Sequence, residues 1–358
     1  MHNNLKAQNQ IISNDLDLIL TQTVSFWEEL RGQCIFITGG TGFFGCWLLE
    51  SFLWANTKLD LQASAAVLTR DKFKFSQKYP HLFSDPALSF CEGDIRDFEF
   101  PKENFSHVIH AATDASANLN ETNPVLMLDT IVQGTKHILE FAKHCGAKRF
   151  LLVSSGAVYG KQPCEISFLA EDYPCQPKLD DFKSAYAVGK CAAEHMSFLY
   201  AKQYGLEVKI ARCFAFIGPY LPLDTNFAIG NFIRDGLKGK PIVVNSDGSS
   251  YRSYLYAADL AVWLWTILFR GATARPYNVG SDQAYSISEL AHLVSSTVTS
   301  KPEVKIMKAP LAGAIPERYV PDVSRARKEL GLIQQINLKQ AIQATTSWYS
   351  HLEQEYAN

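Results

Sequence analysis

Tyr186 and Lys190 lie four residues apart in the stretch Ser184-Ala185-Tyr186-Ala187-Val188-Gly189-Lys190. On a helix that spacing puts both side chains on one face, with Cβ atoms roughly 5–6 Å apart. A phenol of ordinary pKa, about 10, is a poor base at neutral pH, whereas an ammonium beside it favours the phenolate and lowers that value. Tyr186 is therefore expected to exchange a proton with a substrate hydroxyl. Ser155 follows the apolar run from Arg149 to Val153 and is placed to hydrogen-bond the same oxygen. The spacing also occurs on helix surfaces that do no chemistry, so its weight comes from what accompanies it.

What accompanies it is a turn rich in glycine. Gly39-Gly40-Thr41-Gly42-Phe43-Phe44-Gly45 follows the strand-like Cys34-Ile35-Phe36-Ile37-Thr38, with glycines 39, 42 and 45 at every third position before an apolar helix. A turn without side chains lets the backbone approach a pyrophosphate, and the N–H groups of the helix start, around Thr41, Phe43 and Phe44, are positioned to bind it. A dinucleotide fits there; a plain strand-to-helix turn is the alternative. The residue ending the second strand usually selects the cofactor, an acid for the ribose 2′-hydroxyl of NAD and an arginine for the 2′-phosphate of NADP. Here Arg70 precedes Asp71, which tilts the expectation from NAD toward NADP. Asp71 can equally cap the next helix, and Arg70 can be a solvated strand end. After the third strand, Asp94 with Ile95 is a candidate to meet the adenine.

Such residues need a scaffold. At 358 residues the chain exceeds the rough 250–300 residue limit of a single core, so two lobes are expected. Strand-like runs at 34–38, 65–69, 88–93, 107–112, 149–155 and 207–214 alternate with helix-like stretches, among them 43–56, 124–145 and 183–204. Strands apolar on both faces and separated by helices imply α/β architecture, a doubly wound parallel sheet of Rossmann type. Residues 1–214 plus 254–280 would form this dinucleotide-binding lobe, with 1–32 as a helical extension in which Asp15–Arg31 packs beside the first strand. Residues 215–253 plus 281–358 would form a smaller, discontinuous C-terminal lobe for substrate.

Composition narrows the partners. With 20% charged residues and a net charge of -2, nothing favours nucleic acid or an anionic membrane. No apolar stretch reaches the roughly 20 residues of a spanning helix, and the polar start lacks the order of a signal peptide, so a cytoplasmic location is expected. The eight cysteines include no Cys-x-x-Cys pair and are read as reduced thiols, with no metal expected.

Taken together, Gly39-x-x-Gly42-x-x-Gly45, Asp94, His110-Ala111-Ala112, Ser154-Ser155 with Val158-Tyr159-Gly160, Tyr186-x-x-x-Lys190, Arg212, Gly218-Pro219, Arg252 and Tyr277-Asn278-Val279-Gly280 resemble the extended short-chain dehydrogenase/reductase family. The nearer resemblance is to its nucleotide-sugar epimerases, dehydratases and decarboxylases, over about residues 33 to 335. The resemblance implies that Tyr186 is the acid/base, that Lys190 binds the nicotinamide ribose, and that Ser155, with Gly156, holds the sugar hydroxyl being oxidised. It implies that Ala111, Ala112, Thr113 and Ser154 line the cofactor. Asn231, Arg252 and Arg318 would hold the nucleotide diphosphate, a task suited to the planar fork of arginine. It also implies a homodimer built on the helices at 121–145 and 183–204.

Relatives that eliminate water from the sugar carry an Asp-Glu pair between the serine or threonine and Val-Tyr-Gly, one group to remove a carbon-bound proton and one to protonate the leaving hydroxyl. Decarboxylating relatives keep a glutamate at the second place. This chain has Gly156 and Ala157. What remains suffices to interconvert an alcohol and a ketone, commonly at C4, which makes a 4-epimerase or 4-ketoreductase the expected activity. A dehydratase or decarboxylase with a relocated acid, Asp114 or Glu165, is the alternative. Ile131 and Ala215 stand where relatives carry asparagine, and a non-catalytic dinucleotide-binding protein is the reading of another class.

Overall fold

Apolar strands without a polar face need cover on both sides. In the computed structural model, which describes residues 2–113, 117–224, 227–310 and 313–356, seven such strands form one sheet. Numbered along the chain they are β1 (Cys34–Thr38), β2 (Ser64–Thr69), β3 (Leu88–Glu92), β4 (His107–His110), β5 (Arg149–Ser155), β6 (Glu207–Cys213) and β7 (Pro276–Val279). Their order is β7-β6-β5-β4-β1-β2-β3, and every neighbouring pair is parallel. The chain steps outward from β1 to β3 and then returns to lay β4 on the other side of β1. The loops leaving β1 and β4 therefore part, opening the crevice where an open α/β sheet takes its ligand.

Alternation along each strand divides the side chains between two cores. Ile35, Ile37, Leu151 and Val153 enter one, and Phe36, Phe150 and Leu152 enter the other. The helices that cover them include α1 (His2–Thr23), α2 (Phe43–Lys58), α3 (Pro124–His144), α4 (Ala185–Tyr204) and α5 (Ala257–Arg270). Trp27, Trp47 and Trp265 fill the first core, against α2 and α5; Phe36, Phe105 and Phe141 fill the second, against α3 and α4. Among the described residues no helix is long and apolar enough to cross a membrane.

The N-terminal segment corrects the expected helix over Asp15–Arg31. The helix ends at Thr23, a short 3-10 turn covers Trp27–Leu30, and α1 packs on α5 and α2 rather than beside β1. The rings at the break explain this. Phe26 stacks on Phe269 at 4.6 Å and Trp27 tilts against Trp265 at 4.8 Å, burial that a continued helix would forgo. The Trp27 indole N–H donates to the Thr23 hydroxyl at 2.8 Å and closes the turn.

Asp15 ties α1 to Tyr256, the residue before α5. The Tyr256 hydroxyl donates to its carboxylate at 2.7 Å. Burial lifts the Asp15 pKa to about 7, the Tyr256 hydrogen bond opposing and the charge of Asp259 adding to the rise. An acid whose pKa is higher folded than unfolded contributes stability that is full below the unfolded value and is lost as pH rises through the folded one. Asp15→Asn is therefore expected to raise the melting midpoint at pH 8 by a few degrees, on the order of 1–2 kcal/mol, and to leave it nearly unchanged at pH 4. Thermal unfolding at both pH values checks this.

Beyond β6 the chain builds smaller units. Phe216–Ile217 pairs with Leu255–Tyr256, Ile242–Val244 pairs with Val304–Ile306, and Tyr251–Arg252 lies between Tyr285–Ser286 and Arg318–Tyr319. The last of these carries side chains toward the carboxyl end of β5.

Candidate active site

The glycine turn is built for close approach. Gly39 has φ +72°, and a Cβ there would stand 2.5 Å from the Ala111 carbonyl carbon and 2.6 Å from the Ala112 nitrogen. At Gly45 a Cβ would meet the Gly39 carbonyl oxygen at 2.3 Å, so the start of α2 rests directly on the turn. The first bond of the α2 ladder runs from the Cys46 N–H to the Gly42 carbonyl at 2.8 Å, so the N–H groups of Phe43, Phe44 and Gly45 have no ladder partner. These are donors for an anion, and a dinucleotide's pyrophosphate fits the cradle. Gly45→Ala must spread the turn, and NAD+ binding followed by fluorescence titration is expected to weaken at least about tenfold. The Phe44 ring packs edge-on against Phe216 at 4.9 Å, so it is the backbone here that can serve a cofactor.

At the end of β2, Asp71 accepts the Lys74 N–H at 2.8 Å and caps the helix Lys72–Lys78. Arg70, which follows β2, is exposed. Asp94 is gripped by Arg96, whose Nε and backbone N–H donate to one carboxylate oxygen at 2.8 and 3.0 Å. This bond, more than any other interaction, holds the Asp94 carboxyl below its usual range, with Arg70 adding to the effect. Ile95 is buried against Gly134, so only its backbone remains for an adenine.

A buried histidine fixes the loop after β4. Thr38 Oγ1 lies 2.8 Å from His110 Nδ1 and accepts the Ala112 N–H at 3.2 Å, while His110 Nε2 meets Thr135 Oγ1 at 3.3 Å. Burial drives the His110 pKa down to about 3, the charge of Lys190 helping, so the ring is a neutral brace at neutral pH. Thr113 follows, and its Oγ1 accepts from Lys190 Nζ at 2.6 Å.

Lys190 makes a second bond, to the Val153 carbonyl at 2.9 Å. Burial lowers its pKa to about 8. Tyr186 shares the face of α4, but Nζ is 5.9 Å from its ring centroid. The expected lowering of the phenol pKa is corrected here. Burial pushes Tyr186 up to about 12, and the effect that opposes it is the hydrogen bond its phenolate would take from Ser155. The ammonium is committed to Thr113 and Val153, and its charge does not offset the desolvation of the phenol.

Ser155 ends β5, and its side chain accepts the Ala157 N–H at 3.1 Å. Gly156 opens a 3-10 turn over Gly156–Tyr159. The Ser154 hydroxyl donates to Glu194 at 2.6 Å within the buried core, so it is the backbone of Ser154 that remains for a cofactor. Its strand neighbour Arg212 pairs with the same Glu194 at 2.8 Å.

The small sheet sorts the second-lobe residues. Tyr319 is the ladder partner of Arg252, and Arg318 that of Tyr251. Successive strand residues face opposite ways, so Arg252 and Tyr319 share one face while Arg318 takes the other. The Arg318 guanidinium sits 4.4 Å over the Tyr251 ring. Asn231, on the helix Ala228–Leu237, accepts from Arg234 at 3.0 Å. Glu165 is exposed and accepts from the Cys164 thiol; Asp114 lies outside the described residues. Ile131 fills the contact between α3 and Gly189 of α4.

Tyr319 is the site residue that the sequence reading missed. Its hydroxyl reaches the space above Gly156, and its ring lies 4.7 Å from that of Phe214. Its one signal was a place next to Arg318.

The model of the NAD dependent epimerase/dehydratase family matches residues 35–280. The chain belongs to that family. Among the relatives of this epimerase/dehydratase member, UDP-glucuronic acid decarboxylase 6 of Arabidopsis thaliana is 30% identical over 86% of both chains. The dTDP-glucose 4,6-dehydratase of Streptomyces venezuelae, solved with NAD bound, is similar in structure with a TM-score of 0.73 and 26% identity, over 88% of this chain and 96% of that one. The UDP-glucose 4-epimerase of Thermus thermophilus, in complex with NAD, gives a TM-score of 0.72 at 26% identity, over 88% and 98%. The epimerase/dehydratase assignment accounts for the glycine cradle and the Tyr186-x-x-x-Lys190 face together.

Proposed function

We propose that this family member acts on a nucleotide-diphosphate sugar by oxidising and reducing one sugar carbon, C4, as a 4-epimerase or 4-ketoreductase. The supporting observation is at the end of β5, where relatives that eliminate water carry two acids. Here stand Ser155, Gly156 and Ala157, with the Tyr319 hydroxyl and the Phe214 ring in the space above Gly156. Positions 156 and 157 thus carry no acid, and the Tyr319 hydroxyl stands in the space that a side chain at 156 would fill.

In this reading the glycine turn and the start of α2 hold the pyrophosphate, and Thr113 and Lys190 hold the nicotinamide ribose. When bound, the nicotinamide supplies hydride acceptance and return. Tyr186 takes the proton of the sugar hydroxyl as the carbon is oxidised and gives it back on reduction. Ser155 hydrogen-bonds the same oxygen. Arg252 and Asn231 hold the diphosphate, and Arg70 at the end of β2 favours NADP over NAD. The chain would pair with a second copy through α3 and α4, whose outer faces leave Val125 and Leu199 exposed.

Decarboxylation is the second reading, favoured by the 30% identity to UDP-glucuronic acid decarboxylase 6. Oxidising C4 of a uronate places a ketone β to the carboxylate. Carbon dioxide can then leave with its electrons passing into a carbonyl held by Ser155 and Tyr186, with no carboxylic acid side chain needed for that step. Incubating UDP-, dTDP-, GDP- and CDP-hexoses and hexuronates with enzyme and either cofactor, followed by mass spectrometry, separates the outcomes. Unchanged mass with altered retention means epimerisation, a gain of two hydrogens means reduction, and either supports the proposal. Loss of carbon dioxide or of water overturns it in favour of a decarboxylase or a dehydratase.

A further inference from the structure

The space above Gly156 is filled from the far end of the chain. A Cβ at position 156 would stand 2.6 Å from the Tyr319 hydroxyl and 2.7 Å from Cζ of Phe214. The backbone around Tyr319 is fixed on several sides. Tyr319 pairs with Arg252, the Val320 N–H donates to the Gln162 side chain at 3.0 Å, and the Leu169 N–H donates to the Val320 carbonyl at 2.9 Å. The phenol is thus held over Gly156, the residue after Ser155, by contacts independent of any substrate.

A serine hydroxyl has one proton and two lone pairs. The Ala157 N–H takes one lone pair of Ser155 at 3.1 Å. Two phenols lie near what is left, Tyr319 over Gly156 and Tyr186 on α4, and each as a phenolate would accept from Ser155. Burial pushes the Tyr319 phenol well above its ordinary pKa, and a charge on Tyr186 pushes it further. When Tyr186 ionises, Tyr319 therefore keeps its proton, and a protonated phenol can donate.

We propose that Tyr319 is a positioning residue whose O–H donates to the second lone pair of Ser155, leaving the single Ser155 proton aimed at the substrate oxygen that Tyr186 serves. The proposal rests on the reading of Ser155 and Tyr186 as the sugar-oxidising pair. It also gives position 156 a reason to be glycine, because any side chain there displaces the Tyr319 hydroxyl.

Tyr319→Phe keeps the ring against Phe214, so its melting midpoint and NAD+ affinity are expected to match wild type. With whichever sugar of the panel wild type turns over fastest, kcat is expected to fall about tenfold at unchanged KM, and in a Ser155→Ala background the same substitution is expected to cost nothing more. Gly156→Ala is the second probe, displacing the same hydroxyl without altering Tyr319, and is expected to show the same non-additivity. Wild-type kcat in Tyr319→Phe, or equal fractional losses with and without the Ser155 hydroxyl, overturns the proposal and leaves the sugar-oxidising reading standing. Turnover that survives both Ser155→Ala and Tyr186→Phe, or none by wild type on any sugar of the panel, overturns that reading and the proposal with it.

Discussion

Tyr186→Phe is expected to lower kcat by roughly a hundred- to ten-thousand-fold, the usual worth of a positioned acid/base group. NAD+ affinity should stay within a factor of a few, because Lys190 bonds Thr113 and Val153 rather than the phenol. The split between turnover and cofactor binding separates a proton carrier from a structural tyrosine. Thermal unfolding and NAD+ titration beside steady-state kinetics measure it. Lys190 adds a pH dependence with a definite sign. Its pKa, lowered by burial to about 8, means that the ammonium is lost as pH rises through that value. Cofactor affinity that depends on this charge should therefore weaken above pH 8 in wild type and in Tyr186→Phe alike. If the phenol itself carried the cofactor, the two proteins would differ.

The parts of this site that were legible in the sequence are those set by local pattern. The strands announced themselves as apolar runs, and the glycine turn as a repeat of three between a strand and a helix. The Tyr186 and Lys190 face followed from helical spacing alone. What spacing cannot tell is which distant atoms compete for a side chain. Thr113 and the Val153 carbonyl, which claim Lys190, lie 77 and 37 residues away in sequence. What Ser154 meets is likewise set at a distance: β6 brings Arg212 beside it, and α4 brings Glu194 to its hydroxyl. Tyr319 was harder still. It sits on a two-residue strand whose partner, Tyr251–Arg252, is remote in the chain and equally short, so no periodicity marks either. The end of α1 was misjudged for a related reason: a helical pattern continues through Phe26 and Trp27, but their rings are worth more against α5.

The largest stability effect is expected at the buried pair beneath the site. Arg212 Nη2 and Nε reach the two Glu194 oxygens at 2.8 and 3.1 Å, and the side chains are 6% and 4% exposed. Glu194 also takes the Ser154 hydroxyl at 2.6 Å, and Arg212 Nη1 donates to the Tyr159 hydroxyl at 3.0 Å, which donates in turn to Asn278 at 2.7 Å. β5, β6, β7 and α4 thus meet in one polar network. Removing one charge leaves the other uncompensated in a dry interior, so Glu194→Leu is expected to cost about 3–5 kcal/mol in urea unfolding. Replacing both charges, as in Arg212→Met with Glu194→Leu, should recover much of that loss, because neither ion is then buried alone. The double variant should nonetheless stay slow if the network aligns the end of β5, since Ser154 would lose its acceptor next to Ser155. Recovered stability with recovered turnover would assign the pair to folding alone, whereas recovered stability without turnover would tie it to the placement of the Ser155 hydroxyl.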